Sequence, residues 1–454
     1  MHRADDFDGL EGEACAAGQS ASQPAPQDRQ STERRIRLES ISKIEGHGSV
    51  DIKISDGKVK YVKLKITESK RFYTQAIRNK AAISLPLMTS RICGTCSIAH
   101  LTCCSAAVED AVGYVPSEQT LLLRQLSLNG MMIRDHALHL YLFCLPDLFG
   151  KDSVLDFEGP QEEIIRKAFA VKGAGNNLSK AIAGRAVHAT FAEVGKFSHI
   201  PGAEDVKKAV AELRSVRDYA IEFIEMFYGS GFKQEHDTDF VALVNKDYSF
   251  HYGELGDSSG TRIKKGRYFD YLDKVVIPYS QATAYEFKGR EYMVGALSRM
   301  NLNKGSLHRQ TRADASRFMG AFPSKNVYSN NLAQAIEILH CIDSSLELLE
   351  SHAFREESAA PVNIVEGEGV GVLEAPRGTL YYRLSINKEG KTTYGSIIVP
   401  TQQNQISMER SIAELVGSNI GKDRKFLEYE IEKLIRAYDP CMSCASHFLR
   451  INWK

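Results

Sequence analysis

Residues 91–100 read RICGTCSIAH and residues 439–447 read DPCMSCASH, so one Cys-x-x-Cys pair lies near each end of the chain. A histidine follows each pair three or four residues on, and Cys93 and Cys441 are 348 positions apart. Two such pairs supply four thiolates, enough to close a tetrahedral zinc site or to hold a four-iron cluster. Zinc ribbons draw both pairs from one small unit, with roughly 15–20 residues between them. Here a long helical region intervenes, and a fold that joins the pairs must bring both ends of the chain to one place.

The chain has 454 residues, 43% of them hydrophobic, and can bury a sizeable core. Lys plus Arg and Asp plus Glu number 57 each, so no net field recommends nucleic acid, an anionic membrane or an acidic substrate as partner. No apolar run approaches the roughly 18 residues that span a bilayer, and the N-terminus lacks the apolar core of a signal peptide. The expectation is a cytoplasmic protein with no membrane span. Nine cysteines are too few for a disulfide scaffold, and their pairing points to metal or redox chemistry in a reducing compartment.

Residues 1–35 are rich in Ser, Gln, Pro, Ala and charge and read as a flexible tail, with residues 36–454 as the domain. SVDIKISDGKVKYVKLKI alternates apolar and polar residues on both sides of Asp56-Gly57, the signature of a hairpin. TLYYRLSI and TTYGSIIV repeat the pattern around NKEGK at 387–391. Helical periodicity covers 117–143, 205–227 and 330–352, and a last helix is stopped by Pro440, which delivers Cys441 and Cys444 inward. Residues 239–290 read as irregular β structure. The fold class is α+β, mainly helical: a central helical bundle with small peripheral antiparallel hairpins, and a metal site buried between the two cysteine pairs.

Arg91, Gly94 and His100 surround the first pair and Asp439, Pro440 and His447 the second, completing RxCGxCxxxH and DPCxxCxxH. This combination resembles the large, catalytic subunit of nickel-iron hydrogenases. IEGH at 44–47, HLYLFCLPD at 139–147, GRAVH at 184–188, EAPRGTL at 374–380 and VPT at 399–401 follow in that family's order. The resemblance runs from about Ile36 to His447; the respiratory complex I subunit of the same fold lacks the four cysteines. It implies that Cys93 and Cys441 bind nickel terminally, while Cys96 and Cys444 bridge nickel to an iron carrying cyanide and carbonyl. The implied reaction is reversible heterolytic cleavage of dihydrogen. Electrons would pass to an iron-sulfur small subunit and on through diaphorase-like or sulfur- or disulfide-linked subunits to a soluble acceptor.

By the same resemblance, Arg377 in EAPRG stands over the metals, with Asp147 and Asp439 accepting its donors. Thr401 hydrogen-bonds an iron cyanide, and Glu45 in IEGH is the first proton acceptor. His100 and His447 stand beside the ligands; His136, His139 and His188 read equally well as core histidines. A slow hydrogen sensor with the same centre, and a zinc-stabilised scaffold, are the rival readings. The sequence departs from the family in ESKRFYTQA, where Arg71 is present but Thr74 replaces the carboxylate that binds magnesium together with His447. Glu68 or Gln75 could substitute. FLRINWK follows His447 where the family carries an extension cleaved after nickel insertion, so the chain reads either as a precursor with a short extension or as one that matures uncleaved.

Overall fold

A computed structural model describes residues 33–68, 72–358 and 361–446. Residues 1–32 of the expected tail, Arg71 and His447 lie outside the described residues. The first strand, Arg34–Leu38, begins two residues before the expected start of the domain at residue 36. It pairs antiparallel with Gly48–Ser55, which pairs with Lys58–Ile66. The turn between the latter two places Asp56 and Gly57 at φ 53° and 68°, the left-handed pair that a two-residue hairpin needs. Alternation buries Ile36, Val50, Ile52, Leu64 and Ile66 against the helices.

Four long helices form a closed ring in which each packs against the next: Glu118–Ala137, Pro160–Ala183, Ala203–Tyr228 and Ser329–Ser351. The first two approach closely because both carry glycine at the crossing. A Cβ on Gly175 would stand 2.7 Å from Arg134 N, and one on Gly130 would stand 2.6 Å from Ser179 Oγ. Beyond Ala137 the expected 117–143 helix turns into a π-helical segment, Leu138–Cys144, and then into a short helix, Leu145–Leu148.

A second antiparallel sheet, Gly367–Ala375, Gly378–Ile386 and Thr392–Ile398, contains the expected hairpin around 387–391. Its first strand lies close on the helix Ser97–Val112 through three glycines. Side chains on Gly367, Gly369 and Gly371 would begin 2.0–2.1 Å from the carbonyl oxygens of Ala111, Ala107 and Cys103. The match is geometric, since two strand residues advance about 6.6 Å and four helical residues about 6 Å. Residues 239–293 form the expected irregular β region, a four-stranded sheet and a two-stranded one over a second, smaller apolar core.

Helices Pro400–Ser418 and Arg424–Ala437 lead to the second cysteine pair. The latter is capped by Asp423, whose carboxylate accepts from Phe426 N at 3.0 Å, and it ends before Pro440 as expected. Among the described residues no helix is long and apolar enough to cross a membrane.

Candidate metal centre

Cys93 leaves a short helical turn in extended conformation, and Cys96 is the N-cap residue of Ser97–Val112. Cys441 caps the short helix Met442–Ala445, which carries Cys444. Asp439 takes a left-handed conformation, φ 50°, which turns the chain inward ahead of Pro440. Residue 45 meets this turn: Glu45 and Cys441 form a parallel β-bridge, and Met442 N donates to Glu45 O at 2.8 Å. Thr401 Oγ1 accepts from Cys441 N at 2.9 Å, leaving its own hydroxyl proton to donate elsewhere.

The two cysteine pairs thus meet in one buried cage, with all four cysteines at most 4% exposed. Cys93 Sγ faces Cys441 Sγ at 3.4 Å, Cys96 Sγ faces Cys444 Sγ at 3.1 Å, and Cys441 and Cys444 are 3.3 Å apart. These separations exceed the roughly 2.05 Å of a disulfide. Crowding prevents the sulfurs from ionising together. Hydrogen-bonded by Cys441, Cys93 is held well below the ordinary thiol range, while contact with Cys441 pushes Cys96 and Cys444 well above it. Four thiolates in this space need cations between them, and a soft set of this kind fits nickel and low-spin iron.

Arg377 occupies a two-residue turn between strand residues Ala375 and Gly378, the latter at φ 132°. Its Nη1 donates to Asp135 Oδ2 at 2.7 Å, and its Nη2 lies 3.0 Å from Asp439 Oδ1. Burial opposes its charge, but Asp135 and Asp439 more than offset this and raise it well above the usual arginine range. Among the described residues Nη2 and Nε have no aligned acceptor, so this buried cation has donors left to face the cage. Burial, then the charge of Cys93, raise the Glu45 carboxyl above the ordinary carboxylate range.

Asp147 does not reach Arg377. It accepts from Arg436 Nε and Nη2, both at 2.8 Å, and from Lys43 Nζ at 3.0 Å. Twelve residues of helical chain carry it roughly 15 Å beyond Asp135 at 1.5 Å or slightly less per residue, too far to share one guanidinium. Asp135 takes the expected role, within a run of three titratable residues that sequence reasoning passed over except for His136. Arg134 donates to Thr95 O, inside the first cysteine loop, and to Ala186 O. Asp135 takes Arg377, and His136 Nε2 meets Glu337 Oε2 at 2.8 Å. The available signal was that Arg-Asp-His follows Met131-Met132-Ile133 on a helix too apolar to turn all three to water.

His100 has Nδ1 2.7 Å from Tyr382 Oη and Nε2 3.7 Å from Cys444 Sγ. His139 lies one residue further out, between Gln334 Oε1 at 2.6 Å and Arg436 O at 2.7 Å. Two acceptors suit the imidazolium. Burial opposes it, but Asp439 and its other neighbours raise the group to about 10. His188 Nδ1 contacts Ser90 O at 3.1 Å, a structural bond to the first cysteine loop. Glu68 borders the C-terminal segment: a Cβ on Gly46 would stand 3.0 Å from Glu68 Oε1 and 2.9 Å from Ser443 N.

Residues 73–180 and 260–447 match the family model of nickel-dependent hydrogenases. The chain is 34% identical over 423 residues to sulfhydrogenase 1 subunit alpha of Pyrococcus furiosus, covering 92% of this chain and 98% of that one. It is 28% identical over 475 residues to NAD-reducing hydrogenase HoxS subunit beta of Cupriavidus necator, covering 92% and 95%. An NAD+-reducing [NiFe]-hydrogenase in the H2-reduced state superposes with a TM-score of 0.80 at 24% identity, over 91% of this chain and 99% of the other. The Ni-Fe-Se hydrogenase of D. vulgaris Hildenborough gives 0.77 at 19%, over 91% and 100%. These two likenesses concern the fold.

Proposed function

Because this chain belongs to the nickel-dependent hydrogenase family, we propose that its four-cysteine cage holds a nickel-iron pair at which dihydrogen is reversibly split into protons and electrons. The observation that carries this reading is the meeting of Cys93, Cys96, Cys441 and Cys444 beside an Arg377 with free donors. Cys93, Cys96, Cys441 and Cys444 would hold the pair, one cysteine pair from each motif, with cyanide and carbonyl as the further ligands the family implies for the iron. When bound, that pair supplies the polarisation that breaks the hydrogen-hydrogen bond.

The chain's own groups supply the rest. Arg377, oriented by Asp135 and Asp439, presents positive charge and donors to the reacting space, a preorganised field that costs no reorganisation during the reaction. Glu45, tied through its backbone to Cys441, accepts the proton and passes it outward; its partly buried carboxyl suits transfer in both directions. Thr401 is left with one proton to donate to a ligand of the iron.

No iron-sulfur cysteine motif exists beyond the two pairs, so electrons leave through an iron-sulfur small subunit and a soluble acceptor branch, either diaphorase-like or sulfur-linked. Names of the relatives support this: one is the alpha subunit of a sulfhydrogenase, another the beta subunit of an NAD-reducing hydrogenase. The setting is cytoplasmic. Elemental analysis of the purified complex tests the reading: nickel and iron at about one each per chain, with infrared bands of iron-bound cyanide and carbonyl. Zinc without such bands overturns it.

A further inference from the structure

Behind the Arg377 turn lies a second buried arginine, Arg299, 2% exposed, on the helix Ala296–Asn303. All five of its N–H donors are engaged. Nε donates to Glu337 Oε1 at 2.6 Å and Nη2 to Glu337 Oε2 at 2.7 Å. Nη1 donates to Glu374 Oε2 at 2.8 Å. The remaining two reach the backbone of the turn itself, Ala375 O and Pro376 O, both at 3.1 Å. Glu374, just ahead of the turn, accepts from Thr379 Oγ1 just behind it at 2.7 Å, and from Leu243 N at 2.8 Å.

Glu337 does more than neutralise this guanidinium. Its Oε2 also meets His136 Nε2 at 2.8 Å, and His136 adjoins Asp135, the partner of Arg377. One Arg299–Glu337 unit is therefore bonded next to both halves of the Arg377–Asp135 pair: to the turn that carries Arg377, through Ala375 O and Pro376 O, and to the helix that carries Asp135, through His136. Tyr248 Oη, 2.9 Å from Glu337 Oε1, completes the unit. A planar fork with fixed donor directions can hold two carbonyls and two carboxylates at once; an ammonium cannot.

We propose that Arg299 is a positioning residue for Arg377: bonded to Ala375 O, Pro376 O and, through Glu337, to His136, it fixes the turn and the helix between which Arg377 and Asp135 pair. The inference rests on the proposed function, since it concerns the placement of a group acting in that reaction. Displacements of about 1 Å in such a group cost on the order of a hundredfold in rate.

The test is a double-mutant cycle on the purified complex, with nickel content and amide hydrogen exchange measured beside hydrogen-deuterium exchange activity. Arg299→Lys keeps the charge but loses the fork. It should retain nickel, accelerate amide exchange at residues 375–378, and lower activity by at least about tenfold in the unmodified background. In an Arg377→Lys background the same change should matter less than about twofold, because nothing is left to position. Equal proportional losses in both backgrounds, or an undisturbed 375–378 segment, overturn the proposal. Should Arg299→Lys fail to load nickel, Glu337→Gln, which keeps shape and removes the charge shared with His136, takes its place in the cycle. If neither variant loads nickel, Arg299 is a folding requirement and the proposal falls. An unmodified complex that does not cleave hydrogen refutes the function itself, whereas cleavage dependent on Arg377 but indifferent to Arg299 refutes only the positioning.

Discussion

Glu45 and Asp147 show how one residue's role is set by what its neighbours leave to it. Glu45 sits where the first loop touches Cys441, and its carboxyl is free to titrate because only its backbone is committed to the bridge. Glu45→Gln should therefore load nickel normally and abolish hydrogen-deuterium exchange with solvent, while para- to ortho-hydrogen conversion, which needs no proton transfer, persists. Exchange at the unmodified rate would remove Glu45 from the proton route. Asp147 is committed entirely: both oxygens face Arg436, and one also faces Lys43, so it fastens the helix Arg424–Ala437 to the loop preceding Glu45. Asp147→Asn should lower stability by about 3 kcal/mol, the low end for breaking a buried pair, and leave turnover per bound nickel within about twofold. A large loss of turnover at unchanged thermal stability would return Asp147 to the reaction.

At the scale of elements, the helix Pro400–Ser418 joins the metal cage to the first hairpin. Thr401 touches Cys441, Gln402 donates to Ala445 O at 3.2 Å, and Glu409, two turns on, accepts from Leu64 N at 2.8 Å and from Tyr279 Oη. Burial raises Glu409 from 4.5 to about 7. A carboxyl bound more tightly to its proton in the folded state stabilises the fold fully below about pH 4.5, and that contribution is lost as pH rises through about 7. Glu409→Gln should flatten this profile, raising the melting temperature at pH 8 and changing it little at pH 4.5; an equal shift at both would rule out the titration. The hairpins and the three long amphipathic helices were legible because their signals are local, period two around Asp56-Gly57 and period 3.6 elsewhere. Ser97–Val112 was not, since small residues bury it on nearly every side and leave no polar stripe. The cysteines, Arg377 and Glu45 lie in contiguous motifs and could be read off directly. Asp135 and Arg299 could not, because their importance arises from partners 242 and 38 positions away that only the packed ring brings near.

For the molecule as a whole, the cage is a closure. A metal bound by both pairs cross-links a loop of 348 residues, and chain-entropy reasoning for such a loop gives a stabilisation on the order of 6 kcal/mol. Cys444→Ser should lose both metals, raise amide exchange across residues 439–446 and lower the melting temperature, whereas the ring of four helices keeps its protection. Retention of nickel by that variant would contradict a bridging Cys444. The same spacing has a meaning in time. At about 5–20 residues per second, translation separates the two pairs, 348 residues apart, by roughly 17–70 s. During that interval the nascent chain displays two soft ligands with no partners, half a chelate open to whichever thiophilic ion diffuses past. A centre whose halves leave the ribosome so far apart can close only on the completed chain, so its four-ligand selectivity does not exist until translation is nearly over.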